Sequence, residues 1–333
     1  MLKRILRWVL GVATGAAVGA QTPAPVAKPP RPIPAVEHVV VIAIDGLRPD
    51  RLLLADAPTV RGLMKAGAYT MWARTTALAV TLPSFTSMLS GVNPRKHGVD
   101  WDSDLPFATP VYSRTPTIFE LASRAGYVTA MAAGKSKFRV FDKPGTIAHA
   151  FYPKVDAAVL VAAWGPPPKN PATLVFAAQE KVDDAVVVAE SVKIIEAFQP
   201  HFFFIHLPQV DTVGHAKGWG SAEQLEQIGL ADAGVGEILA ALTRAGIRES
   251  TVVLISADHG GAGLGHEPDD PRSRHIPWIV SGPGVKKNFD LTQIAALDVR
   301  TEDTCVTACW LLGLPLPANF DGKPVREAFE EAR

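Results

Sequence analysis

Two short stretches of this chain pair a carboxylate with an imidazole: Asp258-His259-Gly260-Gly261 and Asp211-Thr212-Val213-Gly214-His215. That ligand mixture suits zinc better than magnesium or calcium. Adjacent Asp258 and His259 can both reach one ion only where the backbone turns sharply, which Gly260-Gly261 permits. The bland alternative is a strand-ending turn with a surface His. Asp211 and His215 share one face if the segment is helical, and in a loop they can still converge. Their alternative is a capping Asp with a solvated His. A second ion needs one more His, and the glycine-rich run leads to His266 and later to His275. Thr81, in Thr81-Leu82-Pro83-Ser84-Phe85, precedes a helix-like segment. A hydroxyl there suits a nucleophile at a helix N-terminus, whose free N–H groups favour an incoming anion. A threonine is a weak nucleophile until a metal or base removes its proton. Alone it reads as an N-cap; the ligand candidates turn the reading toward catalysis.

These residues need positioning, and the apolar pattern supplies it. Strand-like runs are expected over residues 39–44, 127–131, 202–206, 252–256 and 278–281, and helices over 117–124, 183–197, 223–244 and 303–312. The alternation predicts an α/β fold: a doubly wound, mainly parallel sheet with helices on both faces. Three of the strands lead into candidate ligands, Asp45, Asp211 and Asp258. The carboxyl ends of strands are where an open α/β sheet places its site. Residues 142–174, with Trp164-Gly165-Pro166-Pro167-Pro168, read as a small irregular cap insertion.

The chain has 333 residues, 47% of them hydrophobic, and no formal net charge. That supports a sizeable core and points to no nucleic-acid surface or acidic tail. A neutral protein that handles anions must draw positive charge locally. Residues 1–20 read as a signal peptide: Lys3, Arg4 and Arg7, a short apolar run, then Val18-Gly19-Ala20. A periplasmic or secreted protein follows, with membrane contact only if that segment stays uncleaved. Residues 21–36 read as a Pro/Ala-rich tether, its part from Thr22 to Pro34 without packing of its own, and 37–333 as the catalytic domain. Cys305 and Cys309 lie a helical turn apart, which suits buried thiols better than a disulfide.

In order and over nearly the whole chain after the tether, the motifs resemble the alkaline phosphatase superfamily, nearest the nucleotide pyrophosphatase/phosphodiesterase branch. The matching residues are Asp45-Gly46, Thr81-Leu82-Pro83, Gly91-x-x-Pro94-x-x-His97-Gly98, Asp211-x-x-Gly214-His215, Asp258-His259-Gly260 and Ile276-Pro277-Trp278 before Gly282-Pro283-Gly284. The resemblance implies two zinc ions. It gives Asp45, Asp258 and His259 to one, and Asp211, His215 and a third His, taken as His266 over His275, to the other. It makes Thr81 the nucleophile of a phospho-threonine intermediate, with the ions clamping both ends of an in-line displacement.

Relatives have an Asn shortly after His-Gly that binds the phosphoryl oxygen; aligned on His97-Gly98, this chain has Asp102. An ionised Asp donates no hydrogen bond, and a solvated loop acid is its plain reading. Lys135 and Lys137 resemble the Lys-x-Lys element with which phosphonoacetate hydrolases grip substrate, although loop lysines are commonly just solvated. His97 resembles a structural position, His206 is expected in the core or behind the ligands, and Trp219 is expected to pack. Phe85 stands where a sulfatase requires Arg, and the chain is too short between Asp100 and Asp211 for the mutase insertion.

The function implied is an exported zinc-dependent hydrolase of phosphodiesters or pyrophosphate bonds, with a small phosphoester or nucleotide as substrate. A phosphonate hydrolase or phosphomonoesterase is the alternative within the superfamily. A silent binding protein is the alternative outside catalysis.

Overall fold

The computed structural model describes residues 30–103, 111–154 and 181–330. The expected signal peptide, most of the tether and residues 155–174 of the expected cap lie outside the described residues.

The centre of the molecule is an apolar strand with no exposed side chain. β1 (His38–Ile44) is buried along its whole length. It lies between β5 (Phe202–Leu207) and β6 (Thr251–Ser256), parallel to both, and these are equally buried. Continuous apolar runs of this kind mark strands covered on both faces. β3 (Thr129–Ala133) joins β5 in parallel and β4 (His149–Phe151) adds an edge strand to β3. On the other side β7 (His275–Ser281) runs antiparallel to β6 and to β2 (Ala68–Arg74), and β8 (Phe289–Asp290) closes that edge. The order of the eight strands is β4-β3-β5-β1-β6-β7-β2-β8.

Two helical layers cover the sheet. In one, α6 (Asp184–Phe198), α7 (Gln209–Lys217) and α2 (Pro58–Ala66) pack on the long α8 (Ala222–Arg244), with α1 (Pro49–Leu54) beside it. In the other, α3 (Thr81–Ser90) packs against α10 (Thr301–Leu311), with α4 (Pro94–His97) and α5 (Ile118–Arg124) alongside. α9 (Pro271–Arg274) is one turn before β7.

The strands expected from the sequence are present, with β3 shifted two residues toward its C-terminus and β7 extended back to His275. β2, β4 and β8 were not expected. β2 alternates between buried and part-exposed positions and carries Thr70, Tyr69 and Trp72, a mixture too polar to stand out. Two expectations need correction. Residues 142–154 are not all irregular, since they hold β4. The last tether residues also pack: Ile33 lies against the position of Gly284, and Arg31 donates to the Val36 carbonyl at 2.8 Å and lies over Tyr127. Cys305 and Cys309 are buried free thiols, as expected.

Candidate active site

Four neighbouring parallel strands deliver one charged residue each just past their carboxyl ends. Lys135 follows β3, Asp211 follows β5 in the first turn of α7, Asp45 follows β1, and Asp258 follows β6. All four are buried. The Asp45-Gly46 turn presses closely on α7. Gly46 sits at φ +73, and a Cβ there would stand 2.9 Å from the Asp211 Cα. Only glycine takes both that conformation and that approach.

Each carboxylate spends one oxygen on the protein and leaves the other bare. Asp45 Oδ2 accepts from Lys135 Nζ at 2.6 Å and from His206 Nε2 at 2.8 Å. Asp211 Oδ2 accepts from the same ammonium at 2.8 Å. Asp258 Oδ1 accepts the Gly46 N–H at 3.1 Å. The remaining atoms, Asp45 Oδ1, Asp211 Oδ1, Asp258 Oδ2 and His259 Nε2, are buried without a hydrogen bond. They face one another: His259 Nε2 is 3.6, 3.9 and 3.2 Å from the Asp45, Asp211 and Asp258 oxygens. Buried polar atoms left bare in this way are costly unless something binds them. Acceptors converging from three carboxylates and an imidazole fit a cation.

The imidazoles are set for the same task. His259 Nδ1 lies 2.8 Å from the Gly260 carbonyl, His266 Nδ1 2.7 Å from Ala79 O, and His215 Nδ1 2.8 Å from Leu264 O. A carbonyl accepts only, so each Nδ1 carries the proton and each Nε2 keeps its lone pair, the tautomer of a metal ligand with a fixed ring. Two groups of three close tightly: Asp45, Asp258 and His259, and Asp211, His259 and His266. The second differs from the expected Asp211, His215 and His266. His259 stacks on His266 with ring centroids 3.8 Å apart and serves both groups. His215 stands at the rim, with Nε2 3.3 Å from Asp211 Oδ1, its ring 5.1 Å from that of His266, and its side chain 43% exposed. His275 is in neither group. It bonds the Pro271 carbonyl and lies edge-on to Trp72 at the start of β7.

The electrostatics follow from this packing. Burial and the Asp211 charge push Asp45 up, but Lys135 and His206 outweigh them and hold it below the ordinary carboxylate range. Asp211 is likewise lowered, with Lys135 and then His215 overcoming its burial. Asp258 has no such partner; burial and the Asp45 charge push it well up. Burial brings His206 down to about 4, and burial with His259 does the same to His266, so both rings are neutral at pH 7. Asp211 raises His215.

Thr81 is the first residue of α3, and Val80 is its N-cap, so the hydroxyl is not used as a cap. The helix start is held from both sides. On one, His266 is tied to Ala79, a non-glycine residue at φ 47. On the other, the Leu82 N–H donates to Asp102 Oδ1 at 2.9 Å. Asp102 is therefore not a solvated loop acid. Its carboxylate occupies the N-terminus of α3 and accepts from Lys137 Nζ at 2.8 and 2.9 Å. Nor are the lysines solvated: Lys135 and Lys137 are each 2% exposed, held by the 3₁₀ turn Ser136–Phe141 that follows β3.

The residues expected to support the site have definite partners in the structure. His206, at the end of β5, accepts the Gly134 N–H on Nδ1 at 3.3 Å, which leaves Nε2–H to donate to Asp45. Phe138 stacks on its ring at 4.1 Å. Trp219 donates to the Gly46 carbonyl at 2.9 Å and packs where a Cβ on Gly261 would fall. His97 is structural as expected, bonded to Ser87 and to the Val99 N–H.

A cluster of Asp and His at the carboxyl ends of a mainly parallel sheet, beside a hydroxyl at a helix N-terminus, is the arrangement of the alkaline phosphatase superfamily. A sequence profile of the family described as Type I phosphodiesterase / nucleotide pyrophosphatase matches residues 39–270, and the chain belongs to that family. Among solved structures it is similar to murine ectonucleotide pyrophosphatase / phosphodiesterase 5 in complex with AMP, with a TM-score of 0.66, 16% identity, and coverage of 88% of this chain and 100% of that one. Phosphonate monoester hydrolase of Agrobacterium radiobacter gives a TM-score of 0.63 at 16% identity, covering 89% and 78%. Among curated proteins, Arylsulfatase K of Bos taurus is 31% identical over 96 residues, 27% of this chain and 17% of that protein. GPI ethanolamine phosphate transferase 1 of Emericella nidulans is 31% identical over 141 residues, 36% of this chain and 15% of that protein. The matched stretches thus span less than a fifth of these curated relatives.

Proposed function

We propose that this protein hydrolyses phosphodiester or pyrophosphate bonds of a small exported-compartment substrate, with Thr81 as nucleophile and zinc as the metal. The observation that carries the proposal is the convergence of four bare buried ligand atoms, Asp45 Oδ1, Asp211 Oδ1, Asp258 Oδ2 and His259 Nε2, with His266 completing a second group. Bound there, zinc supplies Lewis-acid charge that acidifies a hydroxyl and offsets charge on a phosphoryl group. The chain's residues do the rest. Neutral His206 holds Asp45 in one orientation. α3 presents Thr81 at its first position, whose oxygen takes the phosphoryl group as the leaving oxygen departs. Water then cleaves the bond between phosphorus and the Thr81 oxygen, releasing the phosphate monoester and restoring the threonine hydroxyl. His215, raised by Asp211 and partly exposed, stands where a proton can pass to solvent.

A second reading, monoester or phosphonate hydrolysis, is favoured by one observation: two buried ammonium groups, Lys135 and Lys137, next to the ligands and to α3. A dianionic phosphoryl group needs more positive charge than a diester. The test is kcat/KM of the zinc-loaded protein on bis-(p-nitrophenyl) phosphate against p-nitrophenyl phosphate, alongside Thr81→Ala. Diester preference with turnover abolished in the variant, at unchanged zinc content, is expected. Turnover that survives Thr81→Ala would refute the phospho-threonine route.

A further inference from the structure

Three lysines gather at the carboxyl end of β3, and they differ in what they are bonded to. Lys135 Nζ is taken by Asp45 and Asp211, and Lys137 Nζ by both oxygens of Asp102. Lys181 is brought to the same place by an antiparallel bridge between its backbone and that of Lys135. The Val182 N–H donates to the Gly134 carbonyl at 3.0 Å. Lys135 and Lys181 therefore oppose each other without backbone bonds between them, the arrangement that brings side chains closest. Both side chains leave the same face, with Cβ atoms about 5 Å apart. That is the face from which Lys135 reaches Asp45 and Asp211. Lys181 is exposed, and among the described residues no carboxylate lies within ion-pair distance of it. Partial burial and then the Lys135 charge lower its pKa, with Asp211 and Asp45 opposing them, so its ammonium senses the charges of the site.

Two of the three ammonium groups are thus committed to protein carboxylates, and the third is left for a ligand. An anion arriving on this side meets a cation with no competing carboxylate. In the function proposed above, the reacting phosphoryl group sits at Thr81 and the Asp and His cluster, beyond Lys135 from the β3 edge. We propose that Lys181 is a specificity-determining residue that binds a second anionic group of the substrate, two bonds from the reacting phosphorus. The neighbouring phosphate of a pyrophosphate is such a group, and so is the carboxylate of a phosphonocarboxylate; a simple diester has none. The inference rests on the proposed hydrolase function and goes beyond it in assigning a residue, and with it a substrate feature, to the β3 edge of the site.

The test compares diadenosine pyrophosphate with the adenosine dinucleotide joined by a single phosphodiester, two substrates with the same nucleosides. The quantity read is the ratio of their kcat/KM values in wild type, Lys181→Met, Lys181→Arg and Lys193→Met. Lys193 lies on α6 with its side chain 69% exposed, and controls for net charge. Lys181→Met should lower the ratio by about tenfold or more, mainly through KM, as expected for a lost hydrogen bond between charged groups. Lys181→Arg should keep most of the ratio and Lys193→Met all of it. Inorganic pyrophosphate and inorganic phosphate, titrated calorimetrically into zinc-loaded Thr81→Ala protein, read the same contact without turnover. Pyrophosphate should bind about tenfold tighter than phosphate, and that preference should disappear when Lys181→Met is added. Phosphonoacetate titrated alongside separates the two sources: a Lys181-dependent preference for it over pyrophosphate supports the inference with a carboxylate as the second anion. A ratio and a pyrophosphate preference unmoved by Lys181→Met would overturn the inference, as would an equal fall in Lys193→Met. Wild type that turns over neither dinucleotide would overturn the hydrolase reading instead, and the binding titration would still decide on Lys181.

Discussion

Asp102 does two structural tasks at once, and removing it should separate them from any role toward substrate. Its Oδ1 caps α3 through the Leu82 N–H, and both oxygens accept from Lys137, whose side chain is 2% exposed while that of Asp102 is 18% exposed. Asp102→Ala leaves an ammonium buried without its carboxylate. Losing one partner of such a pair costs about 3 kcal/mol or more, and a lost cap adds about 1 kcal/mol. Lys137→Met should cost less, about 1–2 kcal/mol, because the carboxylate it leaves behind keeps the Leu82 N–H and some contact with water. The double variant has no stranded charge. It should cost less than the sum of the single changes, with a coupling of about 2 kcal/mol. Urea unfolding of the metal-free proteins at pH 7, fitted with a common slope, measures all four corners of the cycle. Additivity within about 0.5 kcal/mol would mean that the two side chains do not depend on each other, and the account of a capped, neutralised helix start would fall.

Other consequences are open to simpler measurements. His206→Ala removes the donor that orients Asp45, so zinc affinity by competition with a chelator should fall by about 10–100-fold; an unchanged affinity would leave His206 as packing. Burial raises Asp184 to about 7, while its unfolded value is near 3.8, so the folded protein retains this proton between those values and the unfolded chain does not. Its contribution to stability therefore falls as pH rises from about 4 to 7, by about 2 kcal/mol or more between pH 5 and 8. In Asp184→Asn that loss should vanish, and a parallel pH dependence of unfolding midpoints in both proteins would refute it. A Cβ on Gly261 would lie 2.3 Å from the Trp219 ring, so Gly261→Ala should destabilise by about 2 kcal/mol or more and shift Trp219 fluorescence.

Much of this arrangement is legible in the sequence. Apolar runs at 39–44, 202–206 and 252–256 could only be covered strands, and Asp45, Asp211 and Asp258 follow them at the end where a sheet of this class places its site. The choice of His266 over His275 is what the family resemblance implies; in the structure His266 stacks on His259 with ring centroids 3.8 Å apart. Other features depend on tertiary proximity that no local pattern records. Lys135 and Lys137 read as loop cations because their acidic partners lie far away in sequence, at Asp45, Asp211 and Asp102. The sharing of His259 between two ligand groups, and the retreat of His215 to the rim, come from ring stacking and backbone carbonyls at Ala79 and Leu264. β2 escaped notice because it borders the antiparallel β7, where polar and apolar residues mix.

The position of β1 in the sheet has a consequence for how the chain is made. Among the described residues β1 is the first strand synthesised, yet its two neighbours end at Leu207 and Ser256. Until Ser256 has left the ribosome, the most apolar ribbon of the protein lacks at least one edge partner, and before Phe202 it lacks both. Nothing local can shield it. The nascent chain must therefore stay bound or unfolded for most of its synthesis, and no N-terminal portion short of Ser256 can carry a partly working site. Assembly of the sheet and assembly of the site are a single late event.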